Sequence, residues 1–285
     1  MDSVRKINIL YVITKLELGG AQKQLLSLLR GLDRERFNPY IFTAYDGLLV
    51  DTVKEIPNLR LIRCRLLERK IRPIKDILAL FFLYRFIKNN NIDIVHTHSS
   101  KAGILGRLAA KAAGARIIIH TVHGWSFHDY QVGIIYYFYL FLEKLCAYFS
   151  SAIIVVSQWD KRRAARQLAG RQDKYKLIKY GLNYEEFKNN TETLRVRKEF
   201  GLSEADLVIG MVACFKPQKA PLDFIKLASV IKKDFPNAKF ILVGDGVLRE
   251  KVRVLIDKLN LKEQVILTGW RHDVASILSC LDVFV

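Results

Sequence analysis

The sequence predicts an α/β protein built from two parallel-sheet domains, and three observations support this fold class. Short runs rich in Val, Ile and Leu alternate with segments of helical periodicity along the whole chain. The runs lack strict alternation of apolar and polar residues, which is typical of strands buried on both faces of a sheet. A strand that leads through a loop into a helix begins near residue 7 and again near residue 207.

Eleven strands are predicted, seven in the first part of the chain and four in the second. They cover residues 7–13, 39–43, 59–63, 94–98, 116–121, 152–156 and 176–179, and then 207–214, 239–243, 264–268 and 281–285. Helical patterns separate most of them, which favours right-handed crossovers. A polar stretch over 185–203 divides the two groups, so we place the domains at 1–184 and 185–285, with the linker within 181–190. Because the sequence stops on a buried-strand pattern, we expect the second domain to be incomplete.

The two halves differ in charge. The net charge is +18, and residues 1–184 contain 30 Lys and Arg against 14 Asp and Glu, a surplus of 16. A basic surplus indicates an anionic partner such as a membrane surface or a lipid phosphate. Nucleic acid is not expected, because the sequence has neither an aromatic–basic ribonucleoprotein motif nor a zinc finger.

Compartment and membrane topology are constrained by the cysteines and by the apolar runs. The cysteines are Cys64, Cys146, Cys214 and Cys280. They form no CxxC motif, which fits reduced thiols in a cytosolic protein. The apolar run after Lys6 is short and lacks a cleavage site, so it indicates a strand and not a secretion signal. No apolar run approaches the roughly 18 residues that span a bilayer.

Two loops between a strand and a helix have the composition of anion-binding sites. Gly19 and Gly20 precede a helical pattern, and Lys216 and Lys219 lie in the second such loop. Free backbone N–H groups and the helix dipole favour a phosphate at such a position. The alternative is an ordinary turn in the first loop and solvated charges in the second.

Four histidines lie in or beside two of the predicted strands. His96 and His98 share one face of a strand, which fits either a metal pair or structural packing near a ligand site. His120 lies within the next strand and is interpreted as structural. His123 follows the carboxyl end of that strand, where open α/β sheets bind ligands. We therefore expect His123 to donate a hydrogen bond to a ligand.

Several longer motifs occur in a fixed order. They are LELGGAQKQLL, DIVHTHSSKAGILGRLAA, TVHGW, IIVVSQ, KYGLNYEEF, GMVACFKPQKAPLDFI, FILVGDGVLRE and LTGWRHDVASILSCLDVFV. With these motifs the chain resembles the family-4 retaining glycosyltransferases of the GT-B type over essentially its whole length. The resemblance implies two Rossmann-like domains facing a cleft, the first binding an acceptor and the second a nucleotide-sugar donor. It also implies hexosyl transfer with retention of configuration, without a bound metal or other cofactor.

The resemblance also assigns roles to individual residues. Those expected to bind the donor are Gly19, Gly20, Lys216, Lys219, Gly244, Asp245, Gly246, Arg271, Asp273 and Val274. The first two lie beneath the diphosphate, the lysines neutralise it, the GDG turn faces the nucleotide, and the last three lie by the nucleobase. His123 is the expected catalytic residue, at the donor sugar. Independently of the resemblance, Trp125 and Asp129, which follow His123 in the chain, are expected on the acceptor side.

Two positions depart from the family pattern. The family usually has an arginine five residues before Lys219, where this chain has Cys214, and Lys216 is the cation that can substitute. Lysine is a point charge and lacks the bidentate geometry of arginine. The family also has two glutamates, seven residues apart, shortly after the strand at which this sequence stops. This is the second reason to expect a fragment.

Two apolar stretches are candidates for membrane contact. Residues 77–87 follow a basic run, and residues 134–149 are rich in aromatic side chains. Basic residues beside exposed apolar faces suit an interfacial helix on anionic lipid. The alternative is that both helices are buried against the first sheet.

The sequence thus favours a hexosyltransferase that acts on a lipid-linked or glycan acceptor in surface polysaccharide or glycolipid synthesis. We expect it to be cytoplasmic and peripheral on the inner face of the cytoplasmic membrane. Two other hypotheses stay open: a catalytically incomplete fragment or nucleotide-sugar-binding module, and a nucleotide-sugar 2-epimerase. The charge of the first half argues against the epimerase.

Overall fold

The protein divides into two compact units, Met1–Gly181 and Leu182–Val285. The structure is a computed structural model that describes residues 5–127, 131–168, 172–182, 184–188 and 192–285, with only the main chain of residue 186. Each unit is built around one sheet in which the strands pair in parallel. The predicted α/β class with two parallel-sheet domains is confirmed.

The N-terminal unit has a seven-stranded sheet. Its elements are β1 (Ile7–Val12), α1 (Gly20–Arg30), β2 (Phe37–Ala44), α2 (Val50–Lys54), β3 (Arg60–Cys64), α3 (Pro73–Asn89), β4 (Ile94–His98), α4 (Ser100–Ala113), β5 (Ile117–Val122), α5 (Gly133–Phe149), β6 (Ala152–Val155), α6 (Gln158–Gln167) and β7 (Tyr175–Leu177). The strand order is β3-β2-β1-β4-β5-β6-β7. The chain runs outward from β1 to β3 and returns through α3 to β4, so the order reverses between β1 and β4. Ligands of open α/β sheets bind beside such a reversal, at the carboxyl ends of the strands.

Helix α4 lies close against the strands of this sheet because two of its residues have no side chain. A Cβ atom on Gly106 would lie 2.6 Å from Thr97 Cγ2, and one on Gly103 would lie 2.6 Å from His120 Cε1. Both α3 and α5 pack against α4. Helix α4 is therefore mostly buried, whereas α3 and α5 each keep an outward side.

The C-terminal unit has a four-stranded sheet in the order β10-β9-β8-β11. Its elements are α7 (Glu185–Lys188), α8 (Thr193–Glu199), β8 (Leu207–Val212), α9 (Pro221–Asp234), β9 (Ala238–Val243), α10 (Arg249–Lys258), β10 (Val265–Gly269), α11 (Val274–Leu278) and β11 (Val283–Phe284). Buried side chains of α9, β9 and α10 form one continuous core, in which the rings of Phe224 and Phe240 meet edge to face. Buried apolar contact of this kind is the main stabilising force of such a unit.

The eleven predicted strands are all present, with ends within two residues of the predicted ones. The stretch over 185–203 differs, because it contains the short helices α7 and α8 where no element was predicted. Helix α8 buries only Val196 fully, so it has no apolar stripe from which a helix could be inferred.

Candidate functional site

The carboxyl ends of β1 and β4 are linked by two hydroxyl groups. Thr14 Oγ1 lies 2.8 Å from Ser99 Oγ, and the backbone N–H of Ala102 donates to Thr14 Oγ1 at 3.2 Å. Ser99 joins β4 to α4 with φ +63° and ψ +158°. A residue other than glycine costs about 1–3 kcal/mol in this region of φ and ψ, so the surrounding contacts must hold it. The start of α4 is thus fixed at the point where the strand order reverses.

A line of histidines lies beside this junction. His96 and His98 are buried on one face of β4, and His96 Nε2 lies 2.8 Å from Thr121 Oγ1 on β5. His98 Nδ1 lies 2.8 Å from Nε2 of His123, which follows β5. The rings of His98 and His123 stack with centroids 5.2 Å apart.

His123 is hydrogen-bonded on both sides of its ring. Its Nδ1 contacts the hydroxyl of Tyr180, which follows β7. Burial lowers the pKa of His123 to about 4 and raises the pKa of Tyr180 to about 12. Burial also lowers the pKa of His96 to about 3, and that of His98 well below its usual value. The line of histidines is therefore neutral near pH 7.

His120 lies on the opposite face of the sheet, beneath α4. Its Nδ1 lies 2.9 Å from Thr97 Oγ1, within the sheet itself. This placement fits the structural role expected from the sequence. In the described part of the chain, no group of three or more His, Cys, Asp or Glu side chains is arranged to hold a metal ion.

The second candidate loop connects β8 to α9 in the C-terminal unit. A 3₁₀ turn, Pro217–Lys219, follows Lys216, and Ala220 then adopts a left-handed conformation with φ +48° at the start of α9. The side chain of Lys219 is exposed and that of Lys216 is half-buried. The loop therefore presents cationic side chains next to a helix N-terminus, which favours an anion.

The GDG turn supports this loop from the end of β9. The N–H of Phe215 donates to the carbonyl of Asp245 at 2.9 Å, and the N–H of Leu248 donates to the carbonyl of Phe215 at 3.1 Å. A Cβ atom on Gly244 would lie 2.0 Å from the carbonyl oxygen of Ala213. The Asp245 carboxylate pairs with Arg249 at 2.6 Å. The turn thus positions the backbone of the lysine-bearing loop.

Arg271 is held by two carboxylates. Its guanidinium pairs in bidentate fashion with Glu199, at 2.6 and 3.0 Å, and with Asp273, at 2.8 and 2.7 Å. Hydrogen bonding to Arg271 is the main cause that lowers the pKa of Asp273 to about 2. The Arg271 and Asp273 side chains therefore tie α8 to the start of α11, where Val274 is half-buried.

The amino-acid sequence matches two family models that together cover nearly all of the chain. "Glycosyltransferase Family 4" matches residues 18–186, and "Glycosyl transferases group 1" matches residues 192–285. The chain belongs to the family-4 glycosyltransferases.

Two bacterial relatives of this glycosyltransferase are similar over much of its length. The chain is 35% identical over 285 residues to the UDP-Gal:alpha-D-GlcNAc-diphosphoundecaprenol alpha-1,3-galactosyltransferase of Escherichia coli, covering 98% of this chain and 73% of that one. It is 27% identical to the putative glycosyltransferase EpsD of Bacillus subtilis, covering 71% of this chain and 54% of that one.

Solved structures show the same fold. HepE of Anabaena, in complex with UDP and glucose, matches with a TM-score of 0.80 at 19% identity, over 98% of this chain and 73% of that chain. Sucrose-phosphate synthase of Thermosynechococcus elongatus matches with a TM-score of 0.79 at 18% identity, over 98% of this chain and 75% of that chain. The glycosyltransferase thus has the GT-B type of fold, with two Rossmann-like domains.

The remaining sequence-predicted positions lie in different environments. A Cβ atom on Gly19 would meet the Oε1 atom of Gln22 at 2.6 Å, and one on Gly20 would meet nothing within 4 Å. The first turn of α1 contains no acidic side chain. Trp125 is buried and stacks on Phe127, so its ring belongs to the core of the N-terminal unit. Asp129 lies outside the described residues. The ligand roles of these residues stay predictions.

Sequence reasoning missed one buried polar network in this glycosyltransferase. Arg107 on α4 donates to Glu143 on α5 at 2.6 Å and to the carbonyl of Gly103 at 2.8 Å. Glu143 also accepts from the hydroxyl of Ser126 at 2.8 Å. The network joins two helices to the segment that follows His123. Its members are distant in sequence, and only the two oppositely charged residues inside apolar stretches hinted at it.

Proposed function

We propose that this glycosyltransferase moves a hexosyl group from a nucleotide-sugar donor to a lipid-linked or glycan acceptor, with retention of anomeric configuration. The product would enter the synthesis of a surface polysaccharide or glycolipid. The observation that carries the proposal is the 35% identity, over 98% of this chain, to a galactosyltransferase whose acceptor is GlcNAc-diphosphoundecaprenol. Similar structures that contain UDP or UDP-glucose support a nucleotide-sugar donor.

The described side chains suit the chemistry of this transfer. Breaking the bond between sugar and diphosphate leaves negative charge on the departing phosphate, and cations or helix N-termini stabilise it. Lys219, with Lys216 beside it, supplies cations at the start of α9. His123 supplies a neutral hydrogen-bonding ring at the carboxyl edge of the first sheet. We infer that the former neutralise the diphosphate and that the latter contacts the donor sugar.

The purified chain is expected to transfer labelled sugar from UDP-galactose or UDP-glucose to a synthetic GlcNAc-diphosphate lipid. Transfer is measured as label in the lipid extract, and the anomeric coupling in the NMR spectrum of the product reports retention. Chelation of divalent metals should leave the rate unchanged. Lys219→Ala should lower kcat by on the order of 100-fold, because the variant lacks the positive charge that stabilises the departing diphosphate.

Lys233→Ala is the matched control, since Lys233 is an exposed lysine in the last turn of α9, the helix whose start follows Lys219. Its rate should equal that of the wild-type protein. Nucleotide binding without transfer would contradict the proposal and favour a binding module. Inversion of the donor sugar at C2 without an acceptor would instead favour an epimerase.

We also propose that the N-terminal unit is peripheral on an anionic membrane. Helices α3 and α5 expose many large apolar side chains, which we call the α3–α5 face. Its members are Ile74, Ile77, Leu78, Phe81 and Phe82 of α3 and Ile134, Ile135, Tyr137, Phe138, Phe141, Leu145 and Tyr148 of α5. Large exposed apolar areas mark protein or membrane interaction sites. Within the described ranges, every helix is too short or too polar to cross a lipid bilayer.

Charge around this face favours lipid as its occupant. Arg69, Lys70 and Lys144 are exposed beside or within it, and the guanidinium of Arg85 lies over the ring of Phe81, 5.8 Å from its centroid. Part of the basic charge around the start of α3 is already paired, because Glu68 forms ion pairs with both Arg72 and Lys75. Apolar contact is therefore expected to contribute more of the binding energy than charge does.

Replacing Ile74, Ile77 and Ile134 with serine is expected to weaken binding to vesicles of phosphatidylglycerol and phosphatidylethanolamine by on the order of 100-fold. Each side chain is mostly exposed, and inserting about half of its surface into the lipid contributes roughly 1 kcal/mol to the free energy of membrane binding. Co-sedimentation with the vesicles measures the change, and high salt should remove only part of the wild-type binding.

Val230→Ser with Val254→Ser serves as the control, because these exposed valines lie on α9 and α10 of the other unit. Equal sedimentation of the triple variant and wild type would overturn the membrane assignment. A concentration-dependent dimer that the triple variant abolishes would assign the α3–α5 face to self-association instead.

A further inference from the structure

Three side chains at the carboxyl edge of the first sheet form a continuous hydrogen-bonded line. It runs from Tyr180 through both ring nitrogens of His123 to Nδ1 of His98. His98 is 2% exposed, whereas Tyr180 is 43% exposed. One end of the line is therefore anchored in the core and the other end is open to solvent. His123 can bind a ligand through a ring nitrogen only by giving up one of these two contacts.

The buried end determines which atom donates the proton in each hydrogen bond of this line. The Nε2 atom of His98 is buried and has no hydrogen-bond partner among the described atoms. A neutral imidazole has one N–H, and placing it on Nε2 would leave a buried donor unsatisfied, which is rare in proteins. Placing it on Nδ1 gives that proton an acceptor, the Nε2 lone pair of His123. The proton of His123 must then be on Nδ1, where it points to the Tyr180 hydroxyl.

We propose that His98 is a positioning residue that fixes His123 as its Nδ1–H tautomer, and that the Tyr180 hydroxyl occupies the place that a ligand oxygen takes on this N–H. The inference rests on the proposed function for the identity of the ligand, a hydroxyl or phosphate oxygen of the nucleotide sugar. His123 then acts as a neutral hydrogen-bond donor and removes no proton from the ligand.

Relative exposure explains why the two contacts of His123 have different roles. Displacing His98 would leave a further buried ring nitrogen without a partner, at a cost of about 1–3 kcal/mol. Displacing Tyr180 transfers its hydroxyl to water, where it finds new partners. A ligand oxygen therefore replaces the tyrosine and leaves the histidine pair intact.

NMR of the full chain labelled with ¹⁵N-histidine tests the tautomer without any measurement of activity. The expected spectrum of the wild-type protein shows His123 with a proton on Nδ1 and a bare Nε2 at neutral pH. His123→Gln identifies the signal. A proton on Nε2 of His123 would overturn the proposal, whether or not the protein transfers sugar.

Variants of the other two residues separate positioning from a merely structural role. His98→Asn keeps an N–H near the position of Nδ1, so it should retain the His123 tautomer and keep kcat/KM within roughly 3-fold of wild type. His98→Leu should mix the tautomers and lower kcat/KM by roughly 10-fold.

Tyr180→Phe should keep the tautomer and tighten UDP-glucose binding by roughly 2- to 10-fold, because a competing acceptor is removed. Equal behaviour of the two His98 variants, or weaker binding by Tyr180→Phe, would contradict the assignment. If the wild-type protein showed the expected tautomer but transferred no sugar, only the proposed function would be refuted.

Discussion

Replacing Arg107 with methionine is expected to lower the free energy of unfolding of the N-terminal unit by about 3–5 kcal/mol. Both Arg107 and Glu143 are buried, at 0% and 2% exposure of their side chains. Methionine fills much of the volume but leaves the Glu143 carboxylate with Ser126 as its remaining partner. An uncompensated buried charge is one of the few single changes that cost this much. Urea unfolding, monitored through the hydrogen exchange of the amides of β4 and β5, measures the change in the free energy of unfolding of this unit.

Lys54→Ala is the matched control for this prediction. Lys54 pairs with Asp51 at 2.6 Å in the same unit, but the two side chains are 52% and 87% exposed. Exposed pairs typically contribute less than about 1 kcal/mol. A double variant, Arg107→Met with Glu143→Leu, should recover much of the lost stability, since it leaves no unpaired charge. Equal losses for Arg107→Met and Lys54→Ala would show that the buried pair contributes little.

Most of the fold could be predicted from the sequence because buried parallel strands are recognisable by composition alone. The run Ile94–His98 was predicted with both of its ends. Helix α8 could not be predicted in this way, because two of its side chains pair with residues distant in the sequence, Arg195 with Asp273 and Glu199 with Arg271. Pairs between distant residues leave no periodic pattern along the chain.

The candidate site was only partly predictable for the same reason. The position of His123 after a strand indicated a ligand contact, but its partners come from other strands. Tyr180 lies 57 residues away and His98 lies 25 residues away. Arg271 is expected by the nucleobase from the family resemblance alone; the structure pairs its guanidinium with Glu199 and Asp273, and the nucleobase contact stays a prediction. Position in a motif thus predicts where a backbone lies better than it predicts what a side chain contacts.

Replacing Gly244 with alanine is expected to destabilise the C-terminal unit by about 3 kcal/mol and to weaken UDP binding by on the order of 10-fold. The added Cβ atom would lie 2.0 Å from the carbonyl oxygen of Ala213, and φ is +127° at this residue. Relief requires a shift of the backbone just before the lysine-bearing loop. Isothermal titration with UDP measures the affinity, and urea unfolding measures the stability.

Gly201→Ala separates the clash from backbone strain. Gly201 also has a positive φ, +64°, in the same unit, but an added Cβ atom there would meet nothing within 4 Å. Its cost should be about 1 kcal/mol, from the left-handed conformation alone, with UDP affinity unchanged. The comparison tests the idea that the GDG turn acts on the nucleotide through the loop it supports. If Gly244→Ala bound UDP as well as Gly201→Ala does, the turn would stabilise the unit without shaping the anion site, and the lysines would have to be positioned by α9 alone.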